Sequence, residues 1–117
     1  MPKVLVADDN PDVVESLSIL LTMSGHQVAT AIDGQDAVEK ADAFHPEVII
    51  LDIGMPRLDG YQACKAIREA SSGSNIVIAA LTGYNTDEYR RRGKEAGFDF
   101  YYQKPMDLGA LKELKLV

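Results

Sequence analysis

The chain has 117 residues, 46% of them hydrophobic, with 12 Lys and Arg against 18 Asp and Glu and a formal charge of -6. That length fits one ordinary soluble domain. The negative balance argues against generic nucleic-acid binding, which rests on phosphate neutralisation by Lys and Arg, and against docking on an anionic membrane surface. Cys64 is the only cysteine, which excludes an intramolecular disulfide. No stretch approaches the roughly 20 apolar residues of a membrane span and no secretory pattern opens the sequence, so the cytoplasm is the expected compartment.

Strand-length apolar runs without alternation, the pattern of strands covered on both faces, occupy residues 4–7, 48–51 and 76–81, with weaker candidates at 27–31 and 98–102. In chain order, the first run ends at the pair Asp8-Asp9. Asn10 then reads as a helix cap with Pro11 in the first helical position, and Val13, Val14, Leu17, Leu20 and Leu21 recur at helical spacing until Gly25. Beyond the weak strand at 27–31, a second helix starts near Gly34, carries Ala37, Val38 and Ala41, and stops at His45-Pro46. The run at 48–51 ends at Asp52. A third helix is expected over 60–70, burying Ala63, Ile67 and Cys64, with residues 71–75 as the loop after it. Thr82 closes the run at 76–81. Residues 85–96 read as a fourth helix, with Asn85 or Thr86 as cap and Gly97 as stop. Lys104 follows the last strand, and a final helix begins near Asp107, using Leu108, Leu111 and Leu114.

Five strands alternating with five helices predict a single doubly wound α/β domain with a parallel sheet. Ligands of such sheets bind outside the carboxyl ends of the strands, beside a topological switch point. Asp8, Asp9, Asp52 and Thr82 fall at those ends, and Lys104 falls just beyond the last. Like charges gathered this closely push one another's pKa upward unless a cation sits among them, so a divalent metal site is the first functional reading. Cys64 reads as an inert thiol, and His26 and His45 as surface residues without metal-ligand spacing.

VLVADDNPD, LDIGMPRLDGY, ALTGY and YYQKP, in this order and spacing, resemble a response-regulator receiver domain of two-component signalling, across nearly the whole of residues 1–117. The resemblance implies a flavodoxin-like sheet of order 2-1-3-4-5, an arrangement for which members of this same family serve as standard examples. It implies that Asp52 accepts a phosphoryl group from a histidine kinase or histidine phosphotransfer protein. Mg²⁺, with Mn²⁺ as an alternative, would be held by Asp9, Asp52 and the backbone carbonyl of Gly54, and by Asp8 through water. Thr82 and Lys104 would bond the phosphoryl oxygens, and Lys104 would pair with Asp52 beforehand. The resemblance further implies a cis Lys104-Pro105 bond. As a switch it implies that Thr82 moves toward the phosphoryl group while Tyr101 turns inward, with Tyr102 on the opposite face. The fourth helix, fifth strand and fifth helix would then form the face that controls a partner or attached output module. Gly54 and Tyr84 would tune the lifetime of the phosphorylated form. Such a chain catalyses only its own phosphorylation and dephosphorylation, and is expected either as a stand-alone regulator or as the receiver part of a longer protein.

Three rivals are weaker. A Mg²⁺-dependent aspartate-nucleophile hydrolase of the haloacid-dehalogenase type needs an acid two residues after its nucleophile, where Gly54 stands, and usually a cap insertion. A nucleotide or flavin binder lacks its glycine motif after the first strand. A pseudo-receiver that does not accept phosphate conflicts with the full set of acids, Thr82 and Lys104. Arg90, Arg91 and Arg92 read as a solvated helix face first and a docking patch second.

Overall fold

Each apolar run becomes a strand because helices cover both of its faces. The computed structural model describes residues 3–55, 57–70, 75–83 and 87–117. Its elements are β1 (Lys3–Ala7), α1 (Pro11–Met23), β2 (Gln27–Ala31), α2 (Gly34–Phe44), β3 (Val48–Asp52), α3 (Gly60–Glu69), β4 (Val77–Thr82), α4 (Asp87–Ala96), β5 (Phe100–Gln103) and α5 (Leu108–Glu113). All pairings are parallel and the order is β2-β1-β3-β4-β5. The expected architecture is therefore the one observed.

The sheet's two-residue period divides the core. Leu5, Ala7, Ile49, Leu51, Ile78 and Ala80 face α2, α3 and α4, while Val4, Val6, Val48, Ile50, Ala79 and Leu81 face α1 and α5. Tyr101 joins the first cluster and Tyr102 the second, as alternation along an extended strand requires.

Helix starts follow local chemistry. Asn10 caps α1 through Asp12 N–H with Pro11 in the first turn, Asp33 caps α2, Asp107 caps α5, and Asp59 with Gln62 forms a reciprocal capping box on α3. The cap expected for α4 at Asn85 or Thr86 lies outside the described residues. At the other ends, His45 takes the left-handed conformation after α2, and Gly25 and Gly97 have positive φ after α1 and α4.

Two expectations fail. Leu108 is 59% exposed, and the buried positions around α5 are Ala110, Leu111, Leu114 and Leu116. The helix is short, so its apolar face is completed by the chain beyond it and Leu108 is not needed. His26 is buried, with its Nε2 2.6 Å from the Leu116 carbonyl. The same C-terminal segment folds back to the residue before β2 and takes up its ring. His45 is exposed as expected, and Cys64 is a buried free thiol whose pKa is pushed up to about 11, chiefly by burial, in keeping with an inert role.

Candidate functional site

The register that aligns the apolar runs also aligns the acids. Ala7 pairs with Leu51 and Ala31, so Asp8 and Asp52 leave neighbouring strands at one level. Asp8, Asp9 and Asp52 each offer an oxygen, and these atoms lie within 4.8 Å of one another. Asp8 is 1% exposed and Asp52 4%, while Asp9 faces solvent.

Lys104, at the end of β5, reaches into this group, its Nζ 3.1 Å from Asp8 Oδ2 and 3.1 Å from Asp52 Oδ1. Its backbone N–H donates to the Thr82 carbonyl at 2.7 Å, and the Lys104-Pro105 bond is cis. Thr82 is buried at the end of β4. The Gly54 N–H points to Asp52 Oδ1 at 3.4 Å, and a Cβ at Gly54 would meet nothing within 4 Å. Asp8, Asp9, Asp52, Gly54, Thr82 and Lys104 thus meet at one end of the sheet, while Tyr101 sits further back against α4. Tyr84 lies outside the described residues.

Burial, followed by the charge of Asp8, raises the pKa of Asp52 against the opposing pull of Lys104. For Lys104, burial works downward but is outweighed by its ion pairing with Asp52 and Asp8, and the net direction is up. The acids hold three negative charges against one positive, a deficit of two that one divalent cation would cancel. A second observation agrees: Asp8 Oδ2 makes no properly angled hydrogen bond, although Lys104 sits beside it. Its partner oxygen, Oδ1, already accepts from Asn10 N–H at 2.9 Å. Since Asn10 provides the cap of α1, the acids are free of that duty. With their oxygens within 4.8 Å of one another, the acids are close enough together to hold a single small divalent ion.

One positioning residue was not evident from sequence. At Gly60, the first residue of α3, a Cβ would lie 2.6 Å from the Asp52 carbonyl oxygen and 2.6 Å from Ile53 Cα, and its N–H donates to the Ile53 carbonyl at 2.9 Å. Only glycine lets α3 start this close to the end of β3. The local DG pair gives the cap signal but not the contact.

Residues 4–115 match the family model of the response regulator receiver domain. The chain belongs to that family. It is therefore a receiver of two-component signalling, a family of signalling domains and not of turnover enzymes, and the hydrolase alternative finds no support. Relatives include the transcriptional regulatory protein PrrA of Mycobacterium tuberculosis, 41% identical over 94% of this chain and 46% of its own length. Protein PilG of Pseudomonas aeruginosa is 39% identical over 94% of this chain and 84% of its length. The chain spans about half the length of PrrA and of the MprA response regulators. Among solved structures, the chemotaxis protein CheY4 of Vibrio cholerae superposes with a TM-score of 0.91 at 33% identity, covering 98% of this chain and 96% of that one. The receiver domain of sensor histidine kinase PA1611 from Pseudomonas aeruginosa superposes at 0.87 with 30% identity, covering 97% and 93%, and carries a magnesium ion in its active-site cleft. Among the described residues, no helix is long and apolar enough to cross a membrane.

Proposed function

We propose that this receiver accepts a phosphoryl group on Asp52 from a phosphohistidine of a histidine kinase or phosphotransfer protein. The observation that carries the reading is Asp52 held at the sheet's end between two further acids and Lys104, whose Nζ lies 3.1 Å from Asp52 Oδ1. An Asp52 carboxylate oxygen attacks phosphorus and the phosphorus–nitrogen bond breaks. Its electron pair returns to the imidazole, which takes up a proton, and an acyl phosphate remains. Asp9, Asp52 and the Gly54 carbonyl would hold Mg²⁺, with Asp8 acting through water. Mg²⁺ would offset negative charge on the donor phosphate and on the acids. Lys104 supplies a point charge to a phosphoryl oxygen, and the Thr82 hydroxyl donates to another.

The modified side chain carries nearly one more negative charge than the carboxylate, with strong acceptor oxygens. Thr82 is drawn toward it, and Tyr101 shifts to its inward position, biasing a pre-existing equilibrium of the face made by α4, β5 and α5. That face controls an output partner or attached module, and the acidic domain makes no direct nucleic-acid contact of its own. Intact-mass measurement with a small acyl-phosphate donor tests the reading. One phosphoryl group should add to the wild type in Mg²⁺, and none in chelator or with Asp52→Asn; equal labelling of the variant would sink it.

A further inference from the structure

Gly93 is the one fully buried residue of α4 among those described, and the sequence DEYRRRGKEA offers the core no aliphatic side chain beyond the methyl of Ala96. So polar a helix is not held by aliphatic burial. Its anchors are aromatic: its own half-buried Tyr89, and rings from α3 and β5. Tyr61, the second residue of α3, is buried and packs edge-on against Phe98, with ring centroids 6.3 Å apart and planes at 80°. Its hydroxyl donates to the Tyr89 carbonyl in α4 at 3.1 Å, and the Arg92 guanidinium lies 4.4 Å from its ring centroid.

Tyr101 reaches the same place from β5. Its ring lies against Gly93 so closely that a Cβ there would sit 3.0 Å from Cδ2, and Arg90 lies 5.7 Å from its ring centroid. The two tyrosines press on the same stretch of α4, Tyr61 at Tyr89 and Arg92 and Tyr101 at Arg90 and Gly93; burial first, then the neighbouring Tyr101 side chain, push up the pKa of the Tyr61 hydroxyl. Tyr61 also directly follows Gly60, whose backbone abuts the Asp52 carbonyl. A contiguous chain of contacts therefore runs from the Asp52 backbone through the start of α3 to α4 and β5.

We propose that Tyr61 is a positioning residue of the switch: its hydroxyl ties α3 to α4 at the Tyr89 carbonyl and so fixes the stretch of α4 whose Gly93 receives the Tyr101 ring, and α3 thereby sets how readily the face turns over. This rests on the reading of Tyr101 as the switch residue. Tyr61→Phe keeps the ring contacts and removes only the hydroxyl. A shift of about fivefold in the inward-to-outward ratio follows, the scale of one ordinary net hydrogen bond.

The test is two-dimensional NMR of the full chain titrated with beryllofluoride in Mg²⁺, reading the amides of Gly54, Gly93 and Tyr101. In Tyr61→Phe, the unliganded Gly93 and Tyr101 signals should move away from the wild-type saturated positions, and saturation should need more beryllofluoride. Tyr101→Phe should produce a similar effect, and the double variant should fall well short of the sum. If Gly54 responds but Gly93 and Tyr101 keep their wild-type positions in Tyr61→Phe, or if the two substitutions add, this inference falls alone. If wild-type Gly54 shows no response to beryllofluoride, the phosphoryl-acceptor reading falls with it.

Discussion

Replacing Asp52 by Asn should stabilise the metal-free protein even as it removes the proposed acceptor. The ionised Asp52 is 4% exposed, and burying such a group costs several kcal/mol. Asp8, with an oxygen no more than 4.8 Å away, adds about 3.5 kcal/mol of repulsion at an effective dielectric constant of about 20. Lys104 at 3.1 Å returns about 5 kcal/mol on the same scale, less the screening of a partly exposed lysine. The balance is about 2 kcal/mol against the charged form, in the same direction as the raised pKa. With unfolding entropy of about 2.1 cal/mol/K per residue, that corresponds to a rise in Tm of about 8 °C for the variant in chelator. The pH dependence has a fixed sign. Because Asp52 has a folded-state pKa above its ordinary 3.8, its contribution is most favourable below that value and is lost as pH rises through the folded pKa. The advantage of Asp52→Asn should therefore open with rising pH and close in acid. Mg²⁺ should reverse the order, since a ligand at a hundred times its Kd adds about 2.7 kcal/mol to whichever protein binds it. Thermal melts in chelator and in Mg²⁺, repeated across pH, measure all of this. Asp52→Asn no more stable than wild type in chelator at pH 7, or an advantage that grows toward acid, would show that the buried Asp52 charge does not destabilise the fold.

Lys104→Met should cost the metal-free protein about 1–3 kcal/mol in urea titrations, because two buried acids lose their shared counter-charge. In the wild type, that contribution is fully present below the ordinary lysine value of 10.5 and disappears only as pH climbs through the raised folded-state pKa. Gly60→Ala should destabilise by more than about 2 kcal/mol, since its Cβ strikes main-chain atoms that cannot give, and should slow phosphoryl uptake in the folded fraction by displacing Asp52. Arg68 donates to the carbonyls of Gly97 and Ile76 at 2.9 and 2.5 Å and pairs with Asp99, which in turn accepts from Ile78 N–H. Arg68→Ala should cost about 2–3 kcal/mol by chemical denaturation without changing Mg²⁺ affinity.

The central strands were legible because a parallel sheet covered on both faces leaves uninterrupted apolar runs, as at Val48, Ile49, Ile50 and Leu51. The edge strands were fainter: β2 and β5 are only partly buried, and β5 begins at Phe100, two residues later than its apolar pattern suggests. Asn10 and Pro11 announced α1 through chemistry confined to one turn. His26 and Leu108 misled because their burial depends on where the C-terminal segment lies, which no local pattern encodes. At the site, Asp8, Asp9, Asp52, Thr82 and Lys104 could be assembled in advance because strand ends converge by topology. Gly60 against Asp52, Arg68 with Asp99 and Tyr61 with Tyr89 could not, since each is a contact between elements whose spacing the sequence does not state.

Whether Asp52 is the acceptor is decided by locating the modified atom. After phosphotransfer from a histidine kinase in Mg²⁺, borohydride reduction converts an aspartyl phosphate to homoserine, and peptide mass spectrometry locates it. Homoserine is expected at residue 52 alone, dependent on Mg²⁺ and on the kinase's phosphohistidine. Homoserine at residue 8 or 9, or a reduced wild type with unmodified Asp52 despite phosphoryl uptake, would contradict it.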